Sequence, residues 1–148
     1  MRIAIGSDHA GYELKKHLAL RLSDAGVTVF DLGTHSDAPV DYPDFSAAVG
    51  RAVVDGRADR GIVVCGSGAG ACVAANKVRG IRAAMAHDTY TAHQAVEHDD
   101  VNVLCLGSRV IGPAYADEIV DAFIGANFTH EERHERRLAK VKALELDM

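Results

Sequence analysis

Ile62-Val63-Val64-Cys65-Gly66-Ser67-Gly68-Ala69-Gly70 is the stretch that decides the fold. An apolar, β-branched run reads as a buried strand, and it delivers a cysteine straight into a glycine-rich turn. Alternate glycines let backbone N–H groups gather round an anion without interference from Cβ atoms. The residues that follow, Ala71-Cys72-Val73-Ala74-Ala75-Asn76-Lys77, read as a helix whose N-terminus brings partial positive charge to the same place. Thiols beside helix N-termini ionise more readily, and oriented amides suit the oxygen of an enediolate or tetrahedral intermediate. The loop therefore offers a candidate base or nucleophile beside its own oxyanion hole. The same text also fits a tight strand–helix turn around a buried cysteine.

The pattern repeats outward from this loop. Arg2–Gly6, Val27–Leu32, Gly61–Cys65, Ile81–Ala86 and Val101–Leu106 read as strands. Helical stretches alternate with them: Tyr12–Ala25 with a stripe of Leu14, Leu18 and Leu22; a helix opened by Pro43; Thr89–His98; and one opened by Pro113. Five βα steps with mostly apolar strands predict an α/β fold, a Rossmann-like three-layer sandwich around a five-stranded parallel sheet. Ligands on such sheets sit beyond the carboxyl ends of the strands, where strand order reverses. That rule gathers Asp8 and His9, the loop Cys65–Gly70, and Gly107-Ser108-Arg109 into one crevice.

The 148 residues suit a single domain over positions 1–148. With 48% hydrophobic and 25% charged residues the balance is that of an ordinary globular domain. A net charge of −5 gives no reason to expect nucleic acid or an anionic membrane as partner. No apolar run approaches a membrane span, and the first residues meet glycine and charge too soon for a signal peptide. Cys65, Cys72 and Cys105 lack zinc-type spacing, so no metal is expected. Cys72 and Cys105 read as core thiols, and all three suit a reducing cytoplasm.

The last segment departs from this balance. From His130 to Lys142, Arg133, Arg136, Arg137, Lys140 and Lys142 outnumber Glu131, Glu132 and Glu135. Arg133 and Arg137 share one helical face with His134 alongside, a spacing suited to gripping a phosphate. A solvated charged helix is the plainer reading. Few apolar positions precede Leu138, so this helix is expected to extend to a partner chain instead of its own sheet. His17 and His93 read as surface residues, and His35 has no evident partner.

Together these residues resemble the type B ribose-5-phosphate isomerases, in the family that includes galactose-6-phosphate isomerase subunits. The matching text is Gly6-Ser7-Asp8-His9-Ala10-Gly11, Asp41-Tyr42-Pro43, Cys65–Gly70 with Ala74-Ala75-Asn76-Lys77, and Gly80-Ile81-Arg82-Ala83. It continues with His98, Asn102-Val103-Leu104, Gly107-Ser108-Arg109, Arg133-His134 and Arg137. The blocks follow family order over nearly the whole chain. The resemblance implies a cytoplasmic homodimer, or a tetramer, with two active sites at the subunit interface and neither metal nor cofactor. It implies conversion of ribose 5-phosphate to ribulose 5-phosphate by proton transfer between C1 and C2. Cys65 would then be the base, supported by Ser67, with His98 helping to open the sugar ring. Asp8 and Tyr42 would lie near the sugar oxygens, and the amides of Gly66, Ser67, Gly68, Ala69 and Gly70 would hold the enediolate oxygen. His9, Arg109, Arg133 and Arg137 would hold phosphate, with His134 beside them and the last two arginines supplied by the neighbouring subunit.

Two positions distinguish this chain. Some relatives place a glutamate base just after the glycine loop, where Ala71 stands here, which leaves the cysteine as the available base. The family commonly reads His-Asn where this chain reads His98-Asp99. An ionised aspartate can only accept hydrogen bonds, and its charge near an enediolate is unfavourable. Asp99 is therefore turned away, protonated, or matched to a different sugar phosphate, such as that of allose, galactose or a tetrose. A rival class is a dinucleotide-binding oxidoreductase, since Gly66, Gly68 and Ala71 fit the degenerate G-x-G-x-x-A pattern. That pattern follows the third strand here, and a cysteine opens its turn.

Overall fold

Alternating side chains build the centre of the molecule, which the computed structural model describes for all 148 residues. The five strands are β1 (Arg2–Ser7), β2 (Thr28–Asp31), β3 (Arg60–Cys65), β4 (Ala83–Met85) and β5 (Val103–Gly107). They form one parallel sheet in the order β2-β1-β3-β5-β4. Ile3, Ile5, Ile62, Val64, Leu104 and Leu106 point to one face and Ala4, Val63, Cys65, Val103 and Cys105 to the other. Both faces are apolar because both are covered, as a parallel sheet requires.

Six helices do the covering: α1 (Tyr12–Asp24), α2 (Tyr42–Val54), α3 (Ala69–Ala75), α4 (Thr89–Asp99), α5 (Pro113–Gly125) and α6 (Glu132–Glu145). Leu14, Leu18 and Leu22 of α1, Ala92 and Val96 of α4, and Ile119, Val120 and Phe123 of α5 fill the first face. Val49 and Ala52 of α2, with Ala71 and Ala75 of α3, fill the second. Helix α2 lies so close to β3 that a Cβ on Gly61 would stand 2.5 Å from Val49.

One segment departs from the sequence reading. Strand β4 has three residues instead of the expected Ile81–Ala86, because Ile81 turns into the second core and Arg82 is drawn aside. The Arg82 N–H donates to Asn102 Oδ1 at 2.8 Å, and its guanidinium donates to the Asp100 carbonyl at 2.8 Å. Helix α6 folds back on its own chain. Its buried residues, His134 and Leu138, lie one turn apart on the side packed against α4, and Glu145 Oε1 accepts from Gly80 N–H at 2.6 Å. Within its own chain this helix covers α4 and the Gly80 turn and stays off the sheet, as expected from its few apolar positions. Val141, Leu144, Leu146 and Met148 stay exposed.

Candidate active site

The strand order turns back between β1 and β3, and there the carboxyl ends of β1, β3 and β5 open a cavity of about 340 Å³. Asp8, Tyr42, Cys65, Gly66, Ser67, Gly70, Arg109 and Val110 line it. Three loops from the three central strands thus converge as the parallel-sheet rule predicts. The volume suits a small ligand and sits at the low end of typical sites.

Cys65 ends β3, 4% exposed, and its Sγ accepts a hydrogen bond from Gly68 N–H at 3.1 Å. Gly68 makes this possible by adopting φ +86°, a conformation that side chains disfavour. Ser67 Oγ accepts from Ala69 N–H at 3.2 Å. Gly68 and Ala69 N–H are therefore occupied inside the loop, and neither residue lines the cavity. Gly66 and Ser67 N–H have no partner within the chain, and both residues line the cavity with Gly70. The donor set for an oxyanion is thus narrower than the five amides expected from the sequence.

The neighbouring loops are tied to this one. Ser108 N–H donates to the Cys65 carbonyl at 2.9 Å, and Arg109 N–H to the Gly66 carbonyl at 3.0 Å. A Cβ on Gly66 would stand 3.3 Å from Arg109 Nη1, which places the guanidinium over the loop. Asp8 is buried and accepts from Gly11 N–H at 3.0 Å. Tyr42 opens α2 with its ring against Gly70, where a Cβ would come within 2.7 Å of the ring. His9 Nδ1 accepts from Val40 N–H at 3.2 Å. An amide can only donate, so the neutral His9 ring carries its proton on Nε2.

His98, Asp99, Arg133, His134 and Arg137 do not join this cavity. Helix α4 starts beyond the carboxyl end of β4 and runs back to the amino end of the sheet, where Gly61 N–H donates to the Asn102 carbonyl. Eleven helical residues span roughly 16 Å, so His98 lies a sheet's length from the Cys65 of its own chain. There His98 and His134 stack, with ring centroids 4.0 Å apart and planes at 26°. His98 Nδ1 lies 3.0 Å from Gln94 Nε2. Asp99 is exposed at the helix end, and Asp100 beside it takes the Arg82 guanidinium at 3.0 Å. Arg133 and Arg137 are exposed, whereas His134 is 1% exposed. One chain therefore holds two separate clusters, one around Cys65 and one of histidines and arginines, at opposite ends of its sheet.

The family model described as Ribose/Galactose Isomerase matches residues 3–141. The chain belongs to the ribose/galactose isomerase family. Among curated members of this isomerase family, ribose-5-phosphate isomerase B of Escherichia coli is 43% identical over 144 residues, covering 97% of this chain and 96% of that protein. The structure of Clostridium thermocellum ribose-5-phosphate isomerase B is 48% identical with a TM-score of 0.97, covering 99% of each chain. The Mycoplasma genitalium isomerase B, solved with bound ribulose 5-phosphate, is 43% identical with a TM-score of 0.92, covering 99% of this chain and 97% of that one.

Some residues of the site were not legible in the sequence. His87 Nε2 accepts from Gly107 N–H at 2.8 Å and so fixes the turn after β5, and burial lowers its pKa. Lys15 is 1% exposed, with Nζ 2.8 Å from both Asp31 carboxylate oxygens and 2.6 Å from the Thr34 carbonyl. It anchors the start of the loop that carries Val40 and leads into Tyr42. Cys105 is fully buried, and its hydrogen bond with Cys72, together with burial, pushes its thiol up. Cys72 is only half-buried, and the hydrogen bond from Cys105 lowers its pKa to about 7. Cys72 therefore packs at the margin of the second core, and its Sγ–H donates to the Ala83 carbonyl at 3.5 Å. His17 and His93 are surface residues paired with Asp117 and Glu97. No group of three His, Cys, Asp or Glu side chains is arranged to hold a metal ion, and no helix is long and apolar enough to cross a membrane.

Proposed function

We infer that this protein interconverts ribose 5-phosphate and ribulose 5-phosphate by proton transfer between C1 and C2. The observation that carries this reading is the Cys65 cavity, where a buried sulfur stands beside unpartnered Gly66 and Ser67 amides. The kinship with an isomerase that holds ribulose 5-phosphate supports the same substrate here.

Cys65, as thiolate, takes the proton from C2 of the open-chain aldose, and the electron pair moves to form the C1–C2 enediolate. The proton returns to C1 while the hydroxyl proton at C2 is lost, leaving the ketone. Gly66 and Ser67 N–H stabilise the enediolate oxygen, and a preorganised donor of this kind contributes about 10²–10³ in rate. A cysteine of ordinary pKa is only a few per cent ionised at neutral pH, so even full ionisation adds less than these amides. Ser67 and Asp8 border the reacting carbons, and Tyr42 closes the cavity beside Gly70.

The phosphate is held by His9 and Arg109 from the chain that supplies Cys65, and by Arg133 and Arg137 from a second copy. His98 of that second copy opens the sugar ring. The separation of the two clusters within one chain supports this division, because each lacks what the other holds. A homodimer so arranged has two complete sites. Binding energy from the remote phosphate then fixes the carbon against the sulfur.

The test is incubation of ribose 5-phosphate with the purified protein in heavy water. Ribulose 5-phosphate should form with solvent deuterium incorporated at C1. No turnover of ribose 5-phosphate beside turnover of another aldose phosphate would keep the chemistry and replace the substrate.

A further inference from the structure

His134 sits among groups that could bind phosphate, yet it has no surface to offer a ligand. At 1% exposure it stacks on His98, and both of its ring nitrogens are occupied. Arg133 Nε donates to His134 Nε2 at 3.3 Å. A guanidinium has no acceptor, so Nε2 must be the unprotonated nitrogen. The proton therefore sits on Nδ1, where it donates to Thr129 Oγ1, with Glu131 Oε2 3.4 Å away. We propose that His134 is a positioning residue that, in its neutral Nδ1–H form, holds the Arg133 guanidinium in place to grip phosphate. This rests on the reading that Arg133 serves the substrate phosphate.

Protonation undoes the arrangement. A second proton can go only to Nε2, where it faces the Arg133 N–H, donor against donor and cation against cation. The groups facing the ring are His98 from α4, Thr129 and Glu131 from the segment ahead of α6, and Arg133 and Arg137 from α6 itself. Glu131 alone favours the charged ring. Burial, His98 and Arg133 oppose it and hold the His134 pKa below its ordinary 6.5. The grip is therefore complete at neutral pH and is lost as the pH falls below that value.

The probe is competitive inhibition by sulfate, which stays dianionic across the range and so adds no titration of its own. Wild-type protein should bind sulfate more weakly at about pH 5.5 than at about pH 7.5, the loss growing on further acidification toward a limit of about tenfold, on the scale of one charged hydrogen bond. In His134→Gln the side-chain carbonyl can accept from Arg133 Nε without titrating. This variant should keep the neutral-pH affinity and lose about threefold or less on acidification. His134→Leu should raise the inhibition constant about tenfold at both pH values, with kcat less affected than KM. Arg133→Ala should weaken sulfate at both values and make a further His134→Leu change silent.

If Arg133→Ala leaves sulfate binding intact, the assignment of Arg133 to phosphate fails. If Arg133→Ala weakens binding but His134→Gln keeps the full acid dependence of the wild type, the positioning role is overturned. His134→Gln decides this even where His134→Leu fails to fold.

Discussion

Replacing Gly70 with alanine separates the shape of the site from the stability of the fold. Position 70 lies inside α3 with ordinary helical backbone, where alanine is favoured over glycine by about 0.5–1 kcal/mol. The added Cβ would stand 2.7, 2.9 and 3.0 Å from three atoms of the Tyr42 ring. Carbon atoms in contact sit at about 3.5–4.0 Å, so the ring must retreat by roughly 0.8 Å or more. Tyr42 is 39% exposed and can swing outward, so the strain is relieved locally. Helix preference and strain then nearly cancel, and the melting temperature should stay within a few degrees of wild type. The site does not recover so easily, since a displacement near 1 Å in a positioned group costs up to about 10²-fold. Gly70→Ala should lower kcat/KM by about 10–100-fold, or roughly 1.4–2.8 kcal/mol in the barrier. Tyr42→Ala removes the clashing ring, so adding Gly70→Ala to it should change kcat/KM by less than about twofold. Steady-state isomerisation of the four proteins, with a thermal melt of each, completes the cycle. Wild-type kcat/KM in Gly70→Ala, or an equal loss with and without the Tyr42 ring, refutes the reasoning.

Other consequences concern the thiols and the buried lysine. Cys65→Ala should lower kcat by several orders of magnitude with little change in KM, the signature of a group used only in the transition state. Iodoacetamide followed by peptide mapping should label Cys65 and Cys72, with ribulose 5-phosphate protecting only Cys65. Equal protection of both would place Cys72 in the site. Lys15→Met strands the Asp31 carboxylate and the Thr34 carbonyl. Asp31 is about one-third exposed, so the loss should be near the low end for a broken buried pair, about 3 kcal/mol. That corresponds to a melting temperature lower by about 6–12 °C, and an unchanged melt would show that Lys15 anchors nothing.

The sheet was legible because burial on two faces writes continuous apolar strands, and Ile62–Cys65 is the clearest of them. The convergence of Asp8, Cys65 and Arg109 followed from topology, since parallel strands bring alternate loops to one edge. Strand β4 was overread because Ile81 and Ala86 are as apolar as strand residues, yet Arg82 between them answers to Asp100 and Asn102. A crossover helix between parallel strands runs back to the amino end of the sheet, so His98 at the end of α4 lies a sheet's length from the Cys65 of its own chain. The motif blocks were read as one site without that step, and the separation within one chain became visible only in space. The burial of His134 left a faint trace, its position four residues before Leu138, but the surrounding charges masked it. Lys15 left none, because a buried cation between Leu14 and Leu18 looks like the polar margin of an amphipathic helix.

The central claim is that two chains complete each site, and subunit exchange tests it most directly. Cys65→Ala chains and Arg133→Ala/Arg137→Ala chains are each expected to be nearly inactive alone. A mixed dimer carries both lesions in one site and none in the other. Random exchange at equal concentrations makes about half of the dimers mixed, so about a quarter of the wild-type activity should return. Exchange shown by mass-tagged chains, with no recovery of activity, would place the arginines in the same site as the cysteine of their own chain and contradict the account.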